Sequence, residues 1–446
     1  MTPALVPLHG IGSRQDLPLP FEYLLVGAAV ALVVSFVVLA FAWRTPRWRT
    51  ASGIALPGLT RLVDRRGVRA VLRLVPLLLY AWVGLALWFG QDRVTNPVFG
   101  FVFVWIWVGL VPVSLLFGGI WRATNPLRTL YRLVVALAPG LRRESGVIRR
   151  LGVRPAALAL AAFAWLELVQ PDNNTLLVFQ IWTVAYLGWT LGGALAFGEG
   201  WISAADPFEV FATHVSWLSP WQRIDGVLHL TNPLRHVTTV TPPVGSAAVV
   251  CVLLGSTAFD SFGNVTAWLQ AVQGSPVSAE VWRTLGLFAM IGIVAVTYWL
   301  GCRLMRPFLS DAAAGPADGR ARLSPSRLLA PSVVPIVVGY TVGHYLSLLV
   351  LEGQRVLVNL SDPLGRGWDV FGTGRMAINT TIFDHPESTA IIQFVAIVGG
   401  HLLGVIAAHD LSLRVLRRSH AVAGQIPMLA VMVFYTCAGL LLLFSP

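Results

Sequence analysis

Runs of about 20 apolar residues recur along this chain, and nearly all of its arginines fall in the short segments between them. Hydrocarbon offers no water to backbone N–H and C=O groups, so each such run must close its own hydrogen bonds as a helix. Ten runs are read, over about 22–43, 74–90, 98–118, 155–170, 175–196, 244–262, 283–304, 330–351, 390–410 and 427–445. Only 12% of the 446 residues are charged and 56% are hydrophobic, against about 25% charged in soluble domains, which argues against a cytosolic enzyme. A net charge of +11 in a soluble chain would point to nucleic acid, but here it consists of arginines grouped between apolar runs, so nucleic acid is set aside as a partner. The expected fold is all-α: a polytopic bundle of about ten transmembrane helices, with interfacial helices on the cytoplasmic face. A leader, 1–21, precedes a single membrane domain, 22–446. The first run is too long for a signal-peptide core and reads as a retained span.

The arginine bias sets the orientation. Apart from Arg14, Arg93, Arg283, Arg355, Arg366 and Arg375, every one of the 32 basic residues falls on one side of the ten-run partition. That side is read as cytoplasmic, in a multi-pass protein of the cell membrane with both termini outside. Cys251, Cys302 and Cys437 are isolated within or at the ends of runs and imply no disulfide or thiolate framework.

One internal echo stands out. Phe117-Gly118-Gly119-Ile120-Trp121 leads to Thr124-Asn125-Pro126-Leu127, and about 80 residues later Phe197-Gly198-Glu199-Gly200-Trp201 leads to Ala205-Asp206-Pro207-Phe208. An Asx-Pro pair stops one helix and caps the next. Two related hairpins are expected, around 98–133 and 175–214, each turning into an interfacial helix. Arg128, Arg132, Arg142 and Arg143 are expected to face anionic headgroups.

Candidate chemistry lies on the arginine-poor side. The segment 352–389 is dense in Gly, Pro and charged residues, among them Glu352, Asp362 and Asp369, and reads as a folded loop. His344 lies about 12 Å below its start and His401 about 16 Å down the return helix, at 1.5 Å per residue. Tyr340, His344 and Ser347 share a helix face, while Gly399, Gly400 and Gly404 permit close approach of the other helix. Ionisable side chains at this depth are costly and mark functional sites. Three chemistries fit. Imidazoles with acids, among His344, His401, Asp362, Asp369 and His9 of the leader, would bind a divalent metal ion such as Zn²⁺ and activate water. Axial imidazoles would hold haem, although no second pair lies at similar depth. A His–Glu–Asp relay would move protons or ions. No HExxH, CxxC, P-loop or GxSxG element accompanies them.

The leader from His9 to Pro18, together with the block from His344-Tyr345-Leu346-Ser347 to Phe371-Gly372-Thr373, resembles a multispanning family common in actinobacteria and usually labelled fenitrothion hydrolase. The resemblance implies a membrane-embedded hydrolase of organophosphorus esters, open to apolar small molecules from the lipid bilayer. In that reading His344, His401 and Glu352 are catalytic. Two other readings stand beside it: a transporter or permease using the same His/Glu/Asp set as a proton or metal relay, and a non-catalytic subunit docked on a membrane-protein partner.

Overall fold

The computed structural model describes residues 17–310 and 324–444, and they are overwhelmingly helical. Seven helices are long and apolar enough to cross a membrane: Phe21–Ala42, Arg66–Phe89, Leu176–Phe197, Ala279–Phe308, Pro325–Leu360, Pro386–Ser412 and Ala423–Leu443. Among the described residues, two bent pairs, Pro97–Val108 with Leu110–Phe117 (42°) and Ser246–Phe262 with Thr266–Gln273 (78°), raise the number to as many as nine when each is counted as one span. These elements fit a multi-pass integral membrane protein. The count of ten is not reached. The fourth run becomes the helix Arg154–Leu168, whose 15 residues span about 22 Å against a hydrocarbon core of about 30 Å.

The chain divides into two compact units. Among the described residues the first comprises 17–52, 232–310, 324–347 and 383–444, and in it Ser246–Phe262 packs closely along Ala279–Leu304. A Cβ at Gly255 would lie 2.6 Å from the backbone of Ile291, so only glycine allows that approach. Glycines also set the antiparallel pairing of Pro325–Leu360 with Pro386–Ser412. A Cβ at Gly339 would meet Ala396 O at 2.4 Å, one at Gly400 would meet Pro335 O at 2.5 Å, and one at Gly404 would meet Ser332 O at 2.9 Å. Small residues at such seams let backbones pack without large side chains between them. Of the glycines expected to permit this approach, Gly400 and Gly404 lie in the seam, whereas Gly399 has open space around it. Phe21, Ala28, Tyr340, Ile397, Leu440 and Phe444 pack together nearby. Helix Phe21–Ala42 exposes Val26, Val30, Val34, Val37 and Val38 around its surface, which suits contact with lipid.

The second unit comprises residues 53–231 and 348–382. Its one small sheet, among the described residues, has the antiparallel order Ile54–Ala55, Val227–Leu230, Trp221–Ile224. The hairpin turns through Asp225-Gly226, both at positive φ, the backbone that a two-residue hairpin turn demands. Helix Pro325–Leu360 begins in the first unit and ends in the second. It therefore continues past 351, where the sequence reading placed the loop boundary. Leu351, Val356 and Leu360 are buried and carry the apolar periodicity onward, so Glu352 is helical and pairs with Arg355 one turn away. The loop proper begins at Ser361.

Candidate functional site

In the first unit, five polar side chains form one buried chain. Asp260 sits in the last turn of Ser246–Phe262, and its Oδ2 accepts from His344 Nε2 at 2.9 Å and from Tyr345 O–H at 2.7 Å. The other imidazole nitrogen, Nδ1, lies 3.2 Å from Ser261 Oγ, which is in turn 2.8 Å from the Tyr340 hydroxyl. Asp260, Ser261, Tyr340, His344 and Tyr345 are all buried. With Asp260 ionised, donor accounting gives the chain a single direction. An ionised carboxylate only accepts, so Nε2–H and Tyr345 O–H donate to Asp260. With Nε2 protonated, Nδ1 of a neutral imidazole accepts from Ser261, and Ser261 Oγ accepts from Tyr340.

The sequence reading named His344 but missed Asp260 and Ser261. The sixth run ends in polar residues, Ser256 to Asn264, and that polar end is what meets His344. The i, i+4 relation of Tyr340 and His344 brings both to Ser261, whereas Ser347 Oγ, on the same predicted face, is buried with no hydrogen-bond partner among the described residues.

His401 takes different partners from His344. Its Nδ1 donates to Ile397 O at 2.8 Å, one turn back on its own helix, and its Nε2 is buried without a partner among the described residues. Two turns towards the other end of that helix, Gln393 is fully buried with neither side-chain amide atom partnered among the described residues. Gln393 borders the glycine seam, since a Cβ at Gly343 would lie 3.2 Å from its carbonyl. At the arginine-rich end, His409 and Asp410 do not pair with each other. His409 links Trp43 O and Gln425 Oε1, both at 2.8 Å, while Asp410 accepts from Arg47 N and Arg414.

The remaining predicted residues serve the second unit. Asp362 accepts from Arg366 N and Gly367 N, Asp369 accepts from Gly374 N, and Ser361 Oγ lies 2.7 Å from Thr373 Oγ1. Both carboxylates hold the loop's own turns, and they line a recess of about 660 Å³ with Arg93, Trp368 and Arg375. His9 lies outside the described residues. Among the described residues, no three His, Cys, Asp or Glu side chains come together as a metal site would require. His344 and His401 are held by different partners, His344 by Asp260 and Ser261 and His401 by Ile397 O.

The second unit also holds a buried ion network, built by the internal echo. Asn125 and Asp206 each cap the helix that follows, accepting from Leu127 N and Phe208 N, and Asn125 Nδ2 donates to Asp206 Oδ2 at 2.7 Å. Three residues beyond each cap stand Arg128 and Glu209, which pair with each other while both are almost fully buried. Arg128 also reaches Glu199 at 2.7 Å and Ser203, so it does not face headgroups as its helix position suggested. Tyr186 donates to Asp206 Oδ1 at 3.0 Å. Burial first, and the Glu209 charge second, raise the Asp206 carboxyl to about 6. On the helix that Asp206 caps, burial lowers His214 to about 4.

Compared with known proteins, the chain matches no family model, no curated protein and no solved structure.

Proposed function

We infer that this chain is a proton-coupled membrane transporter, with Asp260 and His344 as the proton-exchanging pair. The single observation that carries the reading is the buried directed chain Tyr340–Ser261–His344–Asp260, with Tyr345 as a second donor to the carboxylate. With neutral imidazole the pair bears one negative charge. A proton accepted at Nδ1 makes an imidazolium against the carboxylate, with no net charge. A site that alternates between these two states suits a proton, or a proton exchanged for a monovalent cation, at membrane depth. Gln393, His401 and Ser347 add hydrogen-bonding capacity along the adjoining helix seam, and each buried polar atom left unmade costs about 1–3 kcal/mol. A polar solute or water passing the seam would recover that cost.

The arginine-rich ends are cytoplasmic in this reading. Helix Arg154–Leu168, too short to cross hydrocarbon while exposed, then carries the chain between the two ends as a mostly buried part of the second unit. Two contacts support that path. The segment it leads into is tied to the arginine-poor end by Leu176 N to Asp92 Oδ1, and the segment it leaves packs by Ile148 on Gly200 at the other.

The test is proton uptake by proteoliposomes under an imposed pH gradient, read with an entrapped pH dye. Asp260→Asn and His344→Gln are expected to lower the flux at least tenfold, and Ser347→Ala only a few-fold. Wild-type flux no greater than that of empty liposomes would rule the transporter out.

A second reading, hydrolysis of an apolar organophosphorus ester as the family resemblance implies, is favoured by one observation. Ser261, His344 and Asp260 are joined in the order of nucleophile, base and orienting acid. A fluorophosphonate probe that labels wild-type protein but not Ser261→Ala would establish it in place of the transporter. No labelling, with proton flux retained in Ser261→Ala above the Asp260→Asn level, would exclude it.

A further inference from the structure

At the arginine-rich end of the first unit, a recess of about 510 Å³ is lined by Arg44, Thr45, Arg49, Arg414, Arg417 and Arg418. No aspartate or glutamate lines it among the described residues. A second arginine-lined recess, around Arg132, Arg142 and Arg143, has Glu144 and Glu199 in its wall. Like charges gathered this closely repel one another, and they stay together here because the backbone that carries them is tied down on three sides. The fully buried Asp410 accepts from Arg47 N at 2.7 Å and from Arg414 at 2.8 Å, and Arg414 also reaches the carbonyls of Thr238 and Trp48. His409 holds Trp43 O. Ser310 N to Val415 O and Arg417 N to Phe308 O, both 2.9 Å, bind the third wall. The recess is therefore a preorganised cationic cup.

Guanidinium groups present paired N–H donors that match phosphate oxygens. The cup also lies where two apolar helices, Phe21–Ala42 and Pro386–Ser412, reach their arginine-rich ends. Beside it Arg47 stacks on Trp43 at 4.2 Å, an aromatic–cationic pairing suited to the headgroup layer. We propose that this cup binds a phosphate-bearing anion, the phosphate of an acidic phospholipid headgroup or the same group free in solution. The proposal is independent of the transport reading.

The test is native mass spectrometry of the full-length protein released from mixed micelles. These carry dioleoylphosphatidylglycerol or dioleoylphosphatidylcholine at equal mole fraction. The acidic lipid is expected to be retained about tenfold more than the zwitterionic one. The Arg44→Gln/Arg417→Gln/Arg418→Gln variant loses that excess. A charge-matched control outside the cup, Arg65→Gln/Arg66→Gln/Arg73→Gln, keeps it. Displacement of the acidic lipid by 10 mM inorganic phosphate assigns the cup to free phosphate, and its persistence assigns the cup to lipid. Equal retention of the two lipids by the wild type overturns the proposal without any variant. So does undiminished retention in the triple variant, or in Arg418→Gln alone should the triple variant not fold.

Discussion

Asp206 and His214 lie on one short stretch of the second unit, and burial disfavours the charged form of each, so it moves their pKa values in opposite directions. Asp206 rises to about 6, so its neutral form is favoured by folding. Its contribution to stability is complete below the ordinary carboxyl range and is lost as pH rises through about 6. His214 falls to about 4, and here too the neutral form is favoured. Its contribution is present above pH 6.5 and is lost as pH falls through about 4. The two slopes oppose each other between pH 4 and 6.5, so the unmodified protein should show a shallow dependence there. Unfolding in detergent followed across that window is expected to become steeper in each single variant. Stability should rise with pH in Asp206→Asn and fall with pH in His214→Gln. Equal slopes in the two variants would contradict this account. A neighbouring prediction concerns Arg128, whose partner Glu209 is only 2% exposed. Arg128→Gln leaves that carboxylate buried without its ion partner, held only by hydrogen bonds from Asn125 and Ser203, a loss of about 3–5 kcal/mol, visible as a lowered unfolding midpoint. Arg132→Gln, at an exposed pair with Glu199, should cost less than about 1 kcal/mol.

At the scale of elements, the glycine seam between Pro325–Leu360 and Pro386–Ser412 gives a sharp contrast between adjacent residues. A methyl group at Gly400 would stand 2.5 Å from Pro335 O and 3.1 Å from Gly339 Cα, whereas one at Gly399 meets nothing within 4 Å. Gly400→Ala must push the two helices apart and is expected to lower stability by about 1–3 kcal/mol, as overpacking does. Gly399→Ala should be neutral or slightly stabilising, because it removes a helical glycine. If both substitutions gave the same melting temperature, the helix register described above would be incorrect. The seam also bears on function. Its close approach leaves Gln393 and His401 buried at the helix contact with unpartnered polar atoms, and Gly400→Ala is therefore expected to lower proton flux as well as stability.

For the whole molecule, the distribution of arginine makes a prediction about sides. Val147, in the arginine-rich stretch, and Met376, in the loop that begins at Ser361, are both accessible to solvent. In intact cells, a membrane-impermeant maleimide should label Met376→Cys but not Val147→Cys, with Cys437 replaced in the background. In inside-out vesicles the pattern should reverse. Labelling of both from one face would break the orientation.

The amino-acid sequence by itself determined the helical class and most of the long elements, because a run of apolar residues admits only one backbone solution in hydrocarbon. It also located the two Asx-Pro starts, since proline restricts the residue before it whatever surrounds it. Those are local constraints, written in neighbouring residues. Only the tertiary structure decided who partners whom. His344 was legible as a costly residue at depth, but its partners Asp260 and Ser261 sit on another helix more than 80 residues away. They lie in the polar end of the sixth run, where no local pattern marks a partner. Glu352 looked like a loop acid because charge usually ends a span, yet Arg355 neutralises it within the helix and the helix runs on to Leu360. Arg128 looked like a headgroup contact because amphipathic periodicity cannot reveal a buried glutamate from the second copy of its own motif. In each case the deciding interaction joins residues distant in sequence, where burial rather than local pattern sets the outcome.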